Sequence, residues 1–186
     1  MVIGIDVDSV IANLGEEWLR RYNLDYNDSL TSDKITKWET HSFVKKECGL
    51  KIYDYLKDPT LYDNVNPIEG SLEIIHQLKK DGHRVIYITT TPIETPGVKF
   101  NWLVKHRYLN KDELHNYFEA RDKSLIRADI LLDDNGETVK NFRHGISFCY
   151  DQPWNRHYDF GWYRVFNWED FYFKVNDEIE EREWDI

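Results

Sequence analysis

The sequence is poor in cysteine, in basic charge and in long apolar runs, and each shortage excludes a class of protein. Cys48 and Cys149 are the only cysteines in 186 residues. They stand far apart, Cys149 within the apolar run Gly145-Ile-Ser-Phe-Cys-Tyr150. Such usage offers no disulfide framework and no zinc spacing, and it suits a reducing cytoplasm. Lys and Arg number 24 against 34 Asp and Glu, a net charge of −10. A nucleic-acid polymer is a poor partner for that chain, because neutralising phosphates takes a basic surface. Much of the excess is local: Asp177, Glu178, Glu180, Glu181, Glu183 and Asp185 read as a solvated tail or helix face. No apolar stretch reaches the roughly 20 residues of a membrane helix, and no basic segment leads into a hydrophobic one at the start. A soluble, intracellular protein without a membrane partner is expected. Also missing are a Gly-rich phosphate loop, a Gly-x-Ser-x-Gly elbow and a His pair at zinc-ligand spacing. Whether the chain forms homo-oligomers is left open.

What is present is a buried core's worth of apolar residues, 41% of the chain with 15% aromatic, enough for one domain or one domain with a small inserted lobe. Val2, Ile3 and Ile5 suit a strand covered on both faces. Val85-Ile-Tyr-Ile88, Ala128-Asp-Ile-Leu-Leu132 and Gly145 to Tyr150 repeat that pattern, and Tyr163-Arg-Val-Phe166 suits a short fifth strand. Helical spacing follows Asn13, with Leu14, Trp18, Leu19 and Tyr22 on one face. Further helices are expected over 43–56, from Gly70 to a stop at Gly82, over 100–108, over 113–118, and after Asn167 as N-cap. Strands alternating with helices predict an α/β fold with a doubly wound parallel sheet. The sheet domain comprises 1–14 and 67–186, and 15–66 forms a helical lobe inserted between its first two strands.

The polar residues collect at strand ends. Asp6 and Asp8, two positions apart in extended chain, point the same way at the first strand's carboxyl end, which is where open α/β sheets bind ligands. Thr89, Thr90 and Thr91 close the second strand and Asp133 and Asp134 the third. Singly, each is the ordinary furniture of turns and caps. Together, four carboxylates on one edge repel unless a cation sits among them. Lys123, in Ala120-Arg-Asp-Lys-Ser124, is the candidate counter-charge. Carboxylates, a divalent cation, hydroxyls and an ammonium are the parts needed to bind and transfer a phosphoryl group.

The order Asp6-x-Asp8-x-Val10, strand-terminal Thr90, Lys123, Asp133-Asp134 resembles the haloacid dehalogenase (HAD) superfamily of phosphatases. Within it, Asp6-Val-Asp-Ser-Val-Ile-Ala12, Ile88-Thr-Thr-Thr-Pro92 and the block Ala120 to Asp134 are similar to the 5′(3′)-deoxyribonucleotidases. The resemblance implies a HAD-like Rossmannoid core with a small inserted helical cap. It implies a Mg²⁺-dependent phosphomonoesterase acting on deoxynucleoside 5′-monophosphates through an aspartyl-phosphate. Asp6 would be the nucleophile, Asp8 the acid and base, and Lys123 the charge partner of the phosphoryl group. Thr90 and Thr91 would hold phosphate oxygens. Asp6, the Asp8 carbonyl, Asp133 and Asp134 would hold Mg²⁺, with either Asp of the last pair as the direct ligand. Trp38 would stack on the base, with Trp18, Phe43 and Tyr53 as further aromatics of the lobe. This chain departs from mammalian relatives in placing Leu14 where they have an aromatic, and from many relatives in placing Ser9 where they have Gly. The loop following Tyr150 carries Asn155 and Arg156 to the same edge.

Three other readings compete. A signalling receiver domain gathers similar residues, but there the acidic pair and acceptor Asp come before Thr and then Lys, whereas Lys123 here precedes Asp133-Asp134. The others are a phosphatase for another small phosphomonoester, such as a sugar phosphate, and a non-catalytic member that binds nucleotide.

Overall fold

A computed structural model describes residues 1–184, with side chains described through residue 180; Glu181, Glu183 and Asp185 of the acidic run lie outside the described side chains. Six parallel strands form one sheet: β1 (Val2–Ile5), β2 (Arg84–Thr89), β3 (Tyr117–Glu119), β4 (Ile130–Asp133), β5 (Ile146–Tyr150) and β6 (Arg164–Val165). Their spatial order is β3-β2-β1-β4-β5-β6, every neighbouring pair being parallel. The chain therefore runs outward from β1 in one direction and then, from β4, in the other. Adjacent crossovers leave on opposite sides there, which opens a crevice beyond the carboxyl ends of β1 and β4.

Helices α1 (Leu14–Tyr26), α2 (Ser71–Lys80), α3 (Val98–Lys105), α4 (Gly136–Asn141) and α5 (Trp168–Trp184) complete the regular structure with several 3₁₀ turns. β1, β2 and β4 are apolar on both faces because helices and loops cover both. Ile3, Ile5, Tyr87, Ile130 and Leu132 enter one core with Leu78, Leu103, Trp168 and Phe171, whereas Ile86, Ile88 and Leu131 enter a smaller one with Phe142. Asn167 accepts from the Asp170 amide at 2.8 Å and starts α5. Gly82, at φ 88°, ends α2 in the left-handed region that a side chain resists.

Between β1 and β2 the segment carrying α1 has a core of its own, formed by Leu19, Tyr22, Leu30, Ile35, Cys48 and Ile52. Trp18, Phe43 and Tyr53 pack against it. The α-helix expected over 43–56 is instead a run of turns over 43–48 and a 3₁₀ segment, Gly49–Lys57, whose first residue takes φ 49°. The helix expected over 113–118 is a single 3₁₀ turn, Leu114–Asn116, followed by β3. Six residues are too few to sustain a helix alone, and Tyr117 to Glu119 gain partners in β2 from Tyr87 to Thr89. A sixth strand thus forms where five were expected. Cys48 and Cys149 are buried and unpaired. No helix of the described residues is long and apolar enough to cross a membrane.

Candidate active site

β1 delivers Asp6 and β4 delivers Asp133 and Asp134 to the crevice, and burial there is nearly complete: 7%, 0% and 3% exposed. One carboxylate oxygen from each lies within 4.8 Å of the other two. Lys123 reaches between them, its ammonium 2.8 Å from Asp6 Oδ1 and 2.6 Å from Asp133 Oδ2. The turn carrying Lys123 is fixed by Asp122, whose side chain accepts from the Ser124 amide at 3.0 Å. Asp133 Oδ1 accepts from the Asn135 amide at 2.8 Å, so both oxygens of Asp133 are engaged. Asp134 Oδ2 accepts from the Trp154 indole at 2.9 Å. Asp6 Oδ2 and Asp134 Oδ1 have no bond among the described residues.

Burial pushes the Asp6 carboxyl up to about 7 despite Lys123, with the charges of Asp133 and Asp8 adding to the rise. Asp134 is driven well above the carboxylate range by burial first, then by Asp6 and Asp133. Burial alone would lower Lys123, but Asp133 and Asp6 outweigh it and hold its proton. These are the signs of a carboxylate cluster short of positive charge.

Asp8 is held by different partners. Lys99 Nζ lies 2.5 Å from its Oδ2, and the Tyr62 hydroxyl donates to its Oδ1. Ser9 takes φ 59° to turn the chain directly afterwards. On this rim four carboxylates face two ammoniums, Lys99 and Lys123, which leaves two negative charges. Hard oxygen donors with that residue of charge fit one divalent cation.

A cavity of about 330 Å³ joins these groups to the inserted segment. Asp6, Asp8, Thr90, Lys123, Asp133, Asp134 and Trp38 all line it, Trp38 being 55% exposed. Trp18, Tyr53 and Leu14 line it too, the first two doubling as lobe core. Thr91 lines a neighbouring cavity instead, and the second threonine on this wall is Thr89. Thr90 borders both cavities, with Thr89 on the first and Thr91 on the second. Asn155 is buried and donates to the Asp134 and Tyr150 carbonyls at 2.8 Å each, whereas Arg156 pairs outside with Asp151.

Sequence reasoning missed Lys99, Tyr62 and Trp154. Lys99 had a signal: a lysine at i, i+3 and i+4 spacing with Trp102 and Leu103, on the apolar face of its helix. Tyr62 and Trp154 had none, since an aromatic among aromatics reads as core.

Comparison with known proteins gives the chain a family and its fold neighbours. A sequence model of the family described as "5′ nucleotidase, deoxy (Pyrimidine), cytosolic type C protein" matches residues 1–178. A 5′(3′)-deoxyribonucleotidase of Clostridium acetobutylicum is 33% identical over 158 residues, 83% of either chain. Another from Bacillus subtilis is 31% identical, covering 91% of this chain and 95% of its own. Among solved structures, a HAD-superfamily hydrolase from Ehrlichia chaffeensis superposes with a TM-score of 0.54 at 11% identity, covering 94% and 96% of the two chains. A hydrolase from Pseudomonas syringae gives 0.58 at 14% identity, covering 95% and 98%. These two show the fold alone.

Proposed function

The chain belongs to the cytosolic type C family of deoxy (pyrimidine) 5′ nucleotidases, and from that premise we propose that it hydrolyses deoxynucleoside 5′-monophosphates through an aspartyl-phosphate on Asp6. The observation that carries this reading is the buried trio Asp6, Asp133 and Asp134 bridged by Lys123 at the sheet's carboxyl edge.

In this reading an Asp6 carboxylate oxygen attacks phosphorus in line as the bond to the nucleoside oxygen breaks, and Asp8 gives that oxygen its proton. Water then attacks the aspartyl-phosphate while Asp8 takes up the water's proton, and phosphate and free Asp6 result. Lys123 spends two of its three donors on Asp6 and Asp133 and has one left for a phosphate oxygen. Thr90 also lines the cavity, and its one O–H donor, given to the Ala120 carbonyl at 3.1 Å, would turn from that bond to meet a phosphate oxygen. Mg²⁺ would be held by Asp6, the Asp8 carbonyl and Asp134. Asp134 is assigned as the direct ligand because its Oδ1 carries no protein bond, whereas each Asp133 oxygen already accepts one. When bound, the ion supplies charge stabilisation to the phosphoryl oxygens.

The 15–66 segment serves as the cap, excluding water from the site. Its Trp38 stacks on the base, and a nucleotide is the only partner this reading requires. Two buried, unpaired cysteines fit a cytoplasmic setting. Phosphate release from a panel of deoxy- and ribonucleoside 5′- and 3′-monophosphates and sugar phosphates, with Mg²⁺ or with EDTA, tests the proposal. Release from deoxynucleoside 5′-monophosphates that EDTA stops is expected. Inertness toward all nucleotides would refute it, and preference for sugar phosphates would move the substrate class.

A further inference from the structure

We propose that Lys99 is a positioning residue which, with Tyr62, fixes the Asp8 carboxylate where it meets the leaving oxygen of the substrate; this rests on the phosphomonoesterase reading above. Lysine is almost never fully buried unless paired, yet Lys99 is only 3% exposed near the start of α3. Its ammonium donates to Asp8 Oδ2 at 2.5 Å, to Thr89 Oγ1 at 3.0 Å and to the Thr90 carbonyl at 2.5 Å. An ammonium has three donors, and all three are spent on protein atoms. Lys99 therefore has none left for a phosphate oxygen, in contrast to Lys123.

From the other side, Tyr62 comes out of the inserted segment and its hydroxyl donates to Asp8 Oδ1. These are the only two bonds to the Asp8 carboxylate among the described residues. They come from separate parts of the chain, one from the sheet domain and one from the segment before Pro67. Asp8 is thus gripped at both oxygens, while its side chain stays 27% exposed and lines the cavity. Each oxygen keeps a lone pair for a proton. A general acid works only within hydrogen-bond reach of its target, and a displacement of about 1 Å can cost on the order of 10²-fold. Two fixed partners supply that placement.

The leaving group separates placement of Asp8 from other roles. A nucleoside oxygen must be protonated as it departs, whereas para-nitrophenolate leaves without a proton. kcat/KM, which covers the steps up to departure, is measured for a deoxynucleoside 5′-monophosphate and for para-nitrophenyl phosphate with Mg²⁺. Lys99→Met is expected to lower the nucleotide value by about 10²-fold, within the range of general acid catalysis, and the aryl value by less than about 3-fold. Tyr62→Phe gives the same split with a smaller loss, and it decides the matter should Lys99→Met fail to fold. In an Asp8→Asn background, Lys99→Met adds no further loss, because it acts through that carboxylate.

Equal losses on both substrates would overturn the inference, as would a Lys99→Met effect that persists undiminished beside Asp8→Asn. Lys99 would then be serving the fold or the phosphate. A parent enzyme inert toward nucleotides would overturn only the substrate reading. Glycerol phosphate against para-nitrophenyl phosphate then makes the same alkyl–aryl comparison and decides the role of Lys99.

Discussion

Metal binding should set the thermal stability of this protein, and it should do so in a pH-dependent way. With Asp6 displaced from 3.8 to about 7, the folded chain binds more protons than the unfolded chain between about pH 4 and 7. Stability of the metal-free protein therefore falls as pH rises across that window, and the cost is complete above it. A displacement of that size is worth on the order of 4 kcal/mol, and Asp134, pushed in the same direction, adds to it. A divalent ion at the trio replaces those protons. At a concentration 100-fold above its dissociation constant it contributes about 2.7 kcal/mol. For a chain of this length each kcal/mol moves the melting point by roughly 2–4 °C, so a rise of about 5–10 °C is expected on adding Mg²⁺ at pH 8. At pH 5 protons on Asp6 and Asp134 compete with the ion, and the rise should shrink. Asp134→Asn removes one buried charge, so the metal-free variant should melt no lower than the parent at pH 8 and lose most of the Mg²⁺ response. Differential scanning fluorimetry over pH 5–8, with Mg²⁺ or EDTA, reads all of this. A melting point indifferent to Mg²⁺ at pH 8, or an undiminished response in Asp134→Asn, would refute the argument that the trio is a metal site.

Three further outcomes are expected. Asp6→Asn should lower turnover of the preferred phosphomonoester by at least about 10⁴-fold, in line with nucleophile deletions in other enzymes; near-parental turnover would move the nucleophile elsewhere. Trp38→Ala should raise KM for nucleotides while leaving KM for para-nitrophenyl phosphate unchanged, whereas equal effects on both would make the ring a structural element. Glu17 is buried and bonded to Arg20 at 2.5 Å and to Arg21 at 2.9 Å, contacts led by Arg20 that hold its carboxyl down at about 2. Its contribution is thus present above pH 4.5 and lost as pH falls toward 2. Glu17→Gln should cost about 1–3 kcal/mol at neutral pH, read by urea denaturation, and should cost little near pH 2.

The sheet was legible because the period of a buried strand is local. Val2 to Ile5, Val85 to Ile88 and Ile130 to Leu132 are apolar whatever lies next to them, and a parallel sheet puts their polar ends on one rim. Asp6, Asp8, Lys123, Asp133 and Asp134 could therefore be gathered from sequence. β3 escaped notice because three residues carry no period, and only the open edge of β2 made them a strand. Thr90 borders one cavity with Thr89 and the next with Thr91, a division set by how the chain turns after β2 and without a signature in the sequence.

By itself, then, the sequence determined the layer order, the acidic rim and the class of chemistry, since each follows from short-range alternation and from which residue types end a strand. The tertiary structure alone decided which groups hold which. Lys99 meets Asp8 across 91 positions, Tyr62 across 54, and Trp154 reaches Asp134 across 20. Contacts of that kind depend on where a helix and an inserted loop come to rest against the sheet, and no periodicity along the chain encodes a distance between elements.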